Sequence, residues 1–158
     1  MPSLSLMLTT TAWEFLSIDI LELPQSGNYR YALVIHNYFT KWLIAIPKQN
    51  QIAECVVEEL TKVFAYFGFP RKIHSNQVRN FESFVFKSMC RLFGTNKSRT
   101  SAYHPHENGL VERANRSIVT LLRKVRGENN WHIILPLVPY LYNTSIQCNT
   151  KITPYEAL

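Results

Sequence analysis

The chain opens with a two-residue alternation. Over Trp13–Leu21, Leu16, Ile18 and Ile20 point one way while Phe15, Ser17, Asp19 and Leu21 point the other, which predicts a β-strand. Pro24, Gly27 and Asn28, within Leu23–Asn28, signal a turn. Tyr29–His36 and Lys41–Ile46 predict two more strands, with Asn37 as a candidate hairpin turn between them, so the opening is a β-meander. The period then changes. Val56, Leu60, Val63, Phe64 and Phe67 fall at helical spacing across Ala53–Phe67, and Gly68 and Pro70 stop that helix. Arg71–Ser75 predicts a short strand, Glu82–Phe93 a helix ending at Gly94, and Lys97–Ser101 a fifth strand. A turn-rich loop, Tyr103–Gly109, is expected to lead into a long helix through about Arg126. Gly127–Asn130 interrupts the chain, and Trp131–Tyr142 predicts a last helix despite Pro136 and Pro139. Strands, helix, strand, helix, strand and helices make one α/β domain.

Composition agrees with a packed domain. At 158 residues the chain is long enough to bury about 70% of its unfolded surface, and a 46% hydrophobic content can fill that core. No apolar run approaches the roughly 18 residues that span a bilayer, so no membrane partner is expected. Met1–Thr11 lacks a basic segment and a long apolar stretch, which makes it a poor signal peptide. Cys55, Cys90 and Cys148 are odd in number and widely spaced, which suits reduced intracellular thiols better than a disulfide or zinc framework. Sequons at Asn96, Asn115 and Asn143 mean little without a secretory signal. The formal charge of +6 permits a polyanionic partner without requiring one.

Two features suggest chemistry. Asp19 places a carboxylate between Ile18 and Ile20, where burial without a cation or donor would be costly. The plain alternative is a strand-end carboxylate that reaches solvent or a backbone N–H. The second is YHPHENGLVE over Tyr103–Glu112, with Arg113, Asn115 and Arg116 following. In a helix from Leu110, Val111, Ala114, Ile118, Leu121, Leu122 and Val125 form a buried stripe, while Glu112, Arg116, Val119, Arg123 and Arg126 line another. Glu112 would then sit in the first turn, where the helix dipole favours a carboxylate. Residues 97–126 hold seven basic side chains against two acidic ones, so five of the six net positive charges lie here. Arginines beside a carboxylate suit a phosphodiester approaching a metal site, although a surface Glu112–Arg116 pair explains part of the pattern.

WEFLSIDI, YALVIHNYFTKW, FGFPRKIHSNQVRNFES, TSAYHPHENGLVERANRS and TPYEAL together resemble the catalytic core of a retroviral or gypsy-type retrotransposon integrase, in the ribonuclease H-like superfamily. The similarity runs from Trp13 to Leu158 and leaves residues 1–12 as an N-terminal extension. It implies a five-stranded mixed sheet flanked by helices. It also implies three carboxylates holding two divalent metals, Mg²⁺ or Mn²⁺, which would activate water or a 3′-hydroxyl. Carried over by motif, the family's first Asp falls on Asp19 and its Glu on Glu112. The second Asp falls on Asn76, with 35 residues between Asn76 and Glu112, a spacing characteristic of the family. Nucleic-acid contacts are implied for Lys97, Arg99, Tyr103, His104, Asn115, Arg116, Arg123 and Lys124.

The departures shape the expected function. Asn76 offers a neutral carbonyl oxygen where Mg²⁺ prefers a charged one, so metal binding should weaken. Val78 replaces a common glycine, His36 a common Asp, and His106 and Glu107 a Gln and a small polar residue. His104 and His106 form a possible metal pair, but loop polar groups near DNA are the simpler account. The expectation is a gypsy-derived, domesticated core with D-N-E in place of D-D-E, binding DNA weakly and without sequence preference, and impaired in strand transfer. One alternative is a working integrase. Another is a homodimeric scaffold whose patch comprises Trp131, Leu135, Leu137, Val138 and Leu141, against the view that these residues are core. Neither the family's zinc-binding N-terminal module nor its C-terminal DNA-binding module has a counterpart, which suggests a fragment or short isoform. An intracellular, nuclear location follows only from the DNA substrate.

Overall fold

The computed structural model describes residues 13–75, 83–99, 105–125, 130–146 and 151–157. Five strands form one sheet: β1 (Phe15–Ser26), β2 (Tyr29–Asn37), β3 (Leu43–Lys48), β4 (Lys72–Ser75) and β5 (Asn96–Arg99), in the order β3-β2-β1-β4-β5. The meander pairs antiparallel, whereas β1–β4 and β4–β5 are parallel, so the sheet is mixed as expected. Six helices accompany it among the described residues: α1 (Ala53–Phe67), α2 (Phe84–Leu92), α3 (Pro105–Val125), α4 (Trp131–Ile134), α5 (Leu137–Asn143) and α6 (Pro154–Ala157).

Strand parity sorts the core into two halves. Leu16, Ile18, Leu33, Ile35 and Ile73 pack with Val56, Leu60 and Phe64 of α1 and with Phe86, Met89 and Cys90 of α2. Ala32, Val34, Leu43 and Ala45 face the other way, onto Ala114, Ile118 and Leu122 of α3 and onto Trp131, Leu135 and Val138. The triplets Val56/Leu60/Phe64 and Ala114/Ile118/Leu122 both recur every four residues, the spacing that keeps one helix face against a sheet. Gly68 ends α1 with a φ of 91°, its N–H returning to the Phe64 carbonyl. Ser83 caps α2 by accepting the Phe86 N–H.

Several sequence expectations change. β1 continues past Leu21 through Pro24 to Ser26, absorbing the turn signal in a register irregularity between Glu22 and Ser26. Gly27, with a φ of 57°, then makes the turn. Asn37 closes β2 rather than forming the turn centre, and its side chain accepts the Phe39 and Thr40 N–H groups. The long helix begins at Pro105, inside the segment expected to be a loop. Proline suits a first helical position, where its missing N–H needs no partner, and the roughly 1 kcal/mol cost of an interior glycine is overridden. Glu112 is therefore the eighth residue of α3 and gains nothing from the helix start. The single helix expected over Trp131–Tyr142 is two, α4 and α5, separated around Pro136.

Candidate active site

Asp19 lies in mid-β1 opposite Val34, half-buried on the sheet face that α3 covers. Its Oδ1 accepts the Ile20 N–H at 2.8 Å, and its Oδ2 accepts the Asn115 Nδ2 donor at 2.9 Å. The second bond joins the first strand to α3 across 96 positions of sequence. Glu112 is exposed and sits three residues before Asn115, so it shares that side of the helix one turn away. The Asn115 Oδ1 is buried and has no hydrogen-bond partner among the described residues. A buried amide oxygen without a donor is costly to leave, so Asn115 has an acceptor to spare next to the Asp19 carboxylate that its Nδ2 holds.

β4 ends at Ser75, whose partner in β1 is Ile18. Asn76 follows it in the chain and lies outside the described residues, as do Tyr103, His104 and Val78. The side chains of His106 and Glu107 are also outside them. Asp19 and Glu112 supply hard, charged oxygens, the donor type that Mg²⁺ and Mn²⁺ select. Each Asp19 oxygen accepts an N–H, which holds the carboxylate in a fixed orientation. These two residues therefore fit a divalent ion. No group of three or more His, Cys, Asp or Glu side chains placed to hold one occurs among the described residues.

The basic residues divide. Arg113, Arg116, Arg123 and Lys124 are exposed on α3. Lys97 is opposite Ile73 in β5, which puts it on the α2 face of the sheet, away from Asp19. There it opposes the effect of burial on Cys90, whose thiol is nonetheless pushed up to about 11. Arg99 ends β5, and its side chain lies outside the described residues. Closeness in sequence thus grouped Lys97 with the α3 cations, although the sheet separates them. Asn115, expected among the nucleic-acid contacts, is engaged with Asp19. The candidate dimer patch also divides: Trp131, Leu135 and Val138 are core, while Leu137 and Leu141 are exposed.

His36, in sequence only a departure from the family motif, is a buried member of the same face. It lies opposite Ser17, two residues before Asp19, and His74 flanks Ser17 on the other side. All three are buried. The Tyr142 hydroxyl lies 3.4 Å from the His36 Nε2. Burial first, and the Lys41 ammonium second, lower the His36 pKa to about 4. An apolar strand carrying Ser, Asp and His at facing positions was the available signal.

No protein-family model matches the chain. Over 153 residues it is 34% identical to the Gag-Pol polyprotein of Feline leukemia virus, covering 94% of this chain and 9% of that polyprotein. The Pol polyprotein of Radiation murine leukemia virus (strain Kaplan) is 33% identical over 153 residues, covering 94% of this chain and 26% of the polyprotein. The chain thus spans at most about a quarter of these two relatives. The HTLV-2 integrase catalytic core domain, solved in complex with magnesium in a trimeric form, superposes with a TM-score of 0.77 at 16% identity, covering 94% of this chain and 97% of that one. The chain is similar to part of retroviral Pol polyproteins and has the fold of a retroviral integrase catalytic core. The BIV integrase catalytic core agrees, at a TM-score of 0.74 and 18% identity over 91% of this chain and 92% of that one. A simian T-cell lymphotropic virus intasome in complex with PP2A regulatory subunit B56 gamma matches at a TM-score of 0.79 and 21% identity, over 92% of this chain and 54% of that one. The five-stranded mixed sheet with flanking helices is the ribonuclease H-like fold of these cores.

Proposed function

We propose that this chain is an integrase core that binds DNA weakly through α3 and is impaired in DNA strand transfer. The observation that supports this most is the Asp19–Asn115 hydrogen bond, which ties the β1 carboxylate to the helix that bears Glu112 and the exposed Arg116, Arg123 and Lys124. Asp19 and Glu112 would hold a Mg²⁺ or Mn²⁺ ion, which when bound lowers the pKa of water and stabilises a leaving oxygen. Asn115 fixes the orientation of Asp19, and the arginines of α3 neutralise a phosphodiester backbone. With Asn76 in place of a third carboxylate, metal affinity falls and little activity is left. This is the state of a retroelement core co-opted by its host, of gypsy type and acting in the nucleus.

Labelled DNA ends incubated with Mn²⁺ test the proposal. The parent chain should be silent, and Asn76→Asp should gain activity that Glu112→Gln removes. Activity in the parent that Glu112→Gln abolishes would instead establish a working integrase. DNA affinity should fall with salt at a log–log slope of about 0.9 per neutralised phosphate, and Arg123→Ala should lower that slope by about one contact. Salt-independent affinity would refute the α3 surface.

A second reading, self-association, is supported by exposed Leu137, Tyr140 and Leu141 on α5 near exposed Tyr66 and Phe67 of α1. Light scattering over a concentration series would detect it.

A further inference from the structure

β3 is an edge strand, paired on one side only with β2. An edge exposes unpaired N–H and C=O groups that another chain can extend. At Leu43 these groups do not face solvent. The Leu43 N–H donates to the Asn143 Oδ1 at 2.8 Å, and the Leu43 carbonyl accepts from the Asn143 Nδ2 at 2.9 Å. The carboxamide thereby reproduces the two bonds that a neighbouring strand residue would make. Asn143 is 4% exposed and reaches β3 across 100 positions of sequence from the end of α5.

Alternate residues of an antiparallel strand direct their backbone groups to the same side. Leu43, Ala45 and Pro47 therefore share the open side of β3. Pro47 has no N–H, a common way to blunt an edge. Between the carboxamide and the proline, Ala45 offers the one outward N–H left on the described strand. It lies on a groove of about 530 Å³ between α1 and α5, lined by Tyr66, Phe67, Pro139 and Tyr140 along with Ala45 and Asn143. An apolar groove beside an open edge is the setting in which an extended segment adds to a sheet.

We propose that Asn143 closes the β3 edge, occupying the place that the β3 strand of a second copy of this chain would take. Here the carboxamide and the proline leave Ala45 as the one outward N–H on β3 that a partner strand could meet. The plug makes this face selective: side chains can enter the groove, but a backbone cannot pair along it.

Residue-resolved amide hydrogen exchange on the unaltered chain is the first test. Leu43 and Ala45 face the same way, yet Leu43 should exchange about tenfold more slowly, as one maintained hydrogen bond allows. Exchange rates within about twofold of each other would overturn the proposal. The second test is Asn143→Leu, which keeps the volume and removes both bonds. It should associate at concentrations where the parent does not, with faster exchange at Leu43 and slower exchange at Ala45 as the edge becomes paired. A folded Asn143→Leu chain whose mass matches the parent's, or which associates with Ala45 still exchanging freely, would refute the plug. If the variant fails to fold, the comparison of Leu43 with Ala45 in the parent decides.

Discussion

On the face that meets α1 and α2, the central strands present Leu16, Ile18, Leu33, Ile35 and Ile73, all buried and all apolar. On the face that meets α3, the same strands present Ser17, Asp19, His36 and His74 among Val34 and Ala32. One sheet thus devotes one face to packing and the other to polar groups held in place by packing. The period-two geometry of a strand makes this possible, since neighbouring residues can answer to different requirements. Polar groups on the second face are tolerated because they find partners: Asn115 for Asp19 and Tyr142 for His36.

The contrast is most exposed to attack on the apolar face. Leu60 is fully buried against it, and Leu60→Ala should cost about 2–5 kcal/mol in chemical denaturation through lost burial and the cavity left behind. The salt slope for DNA should stay unchanged wherever the variant is folded. A changed slope would mean that the faces are not separate in function.

The polar face should instead respond to pH. The His36 pKa is about 4 in the folded chain against an ordinary value of 6.5, through burial and then through Lys41. The unfolded chain therefore binds more protons between these values, and stability falls as pH drops through that window. The stabilisation is whole above 6.5 and fully lost below about 4, an effect of about 3 kcal/mol. Thermal melts from pH 7 to pH 4 should show the slope, and His36→Gln should flatten it. A parent curve no steeper than that of His36→Gln would show that His36 is not held neutral.

The smallest effect is expected at Asn115. Asn115→Ala removes one hydrogen bond to a carboxylate and one unsatisfied oxygen, so stability should change by only about 1 kcal/mol. Mn²⁺ affinity measured by calorimetry should fall more than stability does, because Asp19 loses the group that orients it. Equal losses in the two would reduce Asn115 to a structural bond.

Local periodicity made much of this fold readable. Ala53–Phe67 was delimited to the residue because its apolar spacing and its Gly68 stop agree. The parity of β1, with Asp19 on the face opposite Ile18 and Ile20, followed from alternation alone. Misreadings arose where a local signal was accommodated. Pro24 did not end β1 because it falls in the register irregularity between Glu22 and Ser26, and Pro105 did not prevent a helix because it takes the first helical position, where its missing N–H needs no partner. Motif and resemblance pointed to Asp19 and Glu112 as candidates for the site. The Asn115–Asp19 and Asn143–Leu43 bonds were not legible, since nothing local connects residues 96 or 100 positions apart. Lys97 failed for the converse reason: nearness in sequence carried no information about which face of β5 it occupies.

The Asp19–Asn115 bond also sets an order of events in folding. β1, β2 and β3 are consecutive and join by short turns, so the meander closes inexpensive loops first. β1 meets β4 only after the whole of α1 has been made, and Asp19 meets Asn115 later still along the chain. As the chain leaves the ribosome, the carboxylate on its first strand waits for nearly 100 further residues before its partner exists. Chains interrupted before α3 would retain the meander's local pairing and lack the Asp19–Asn115 bond altogether, so the candidate site is completed only when α3 arrives.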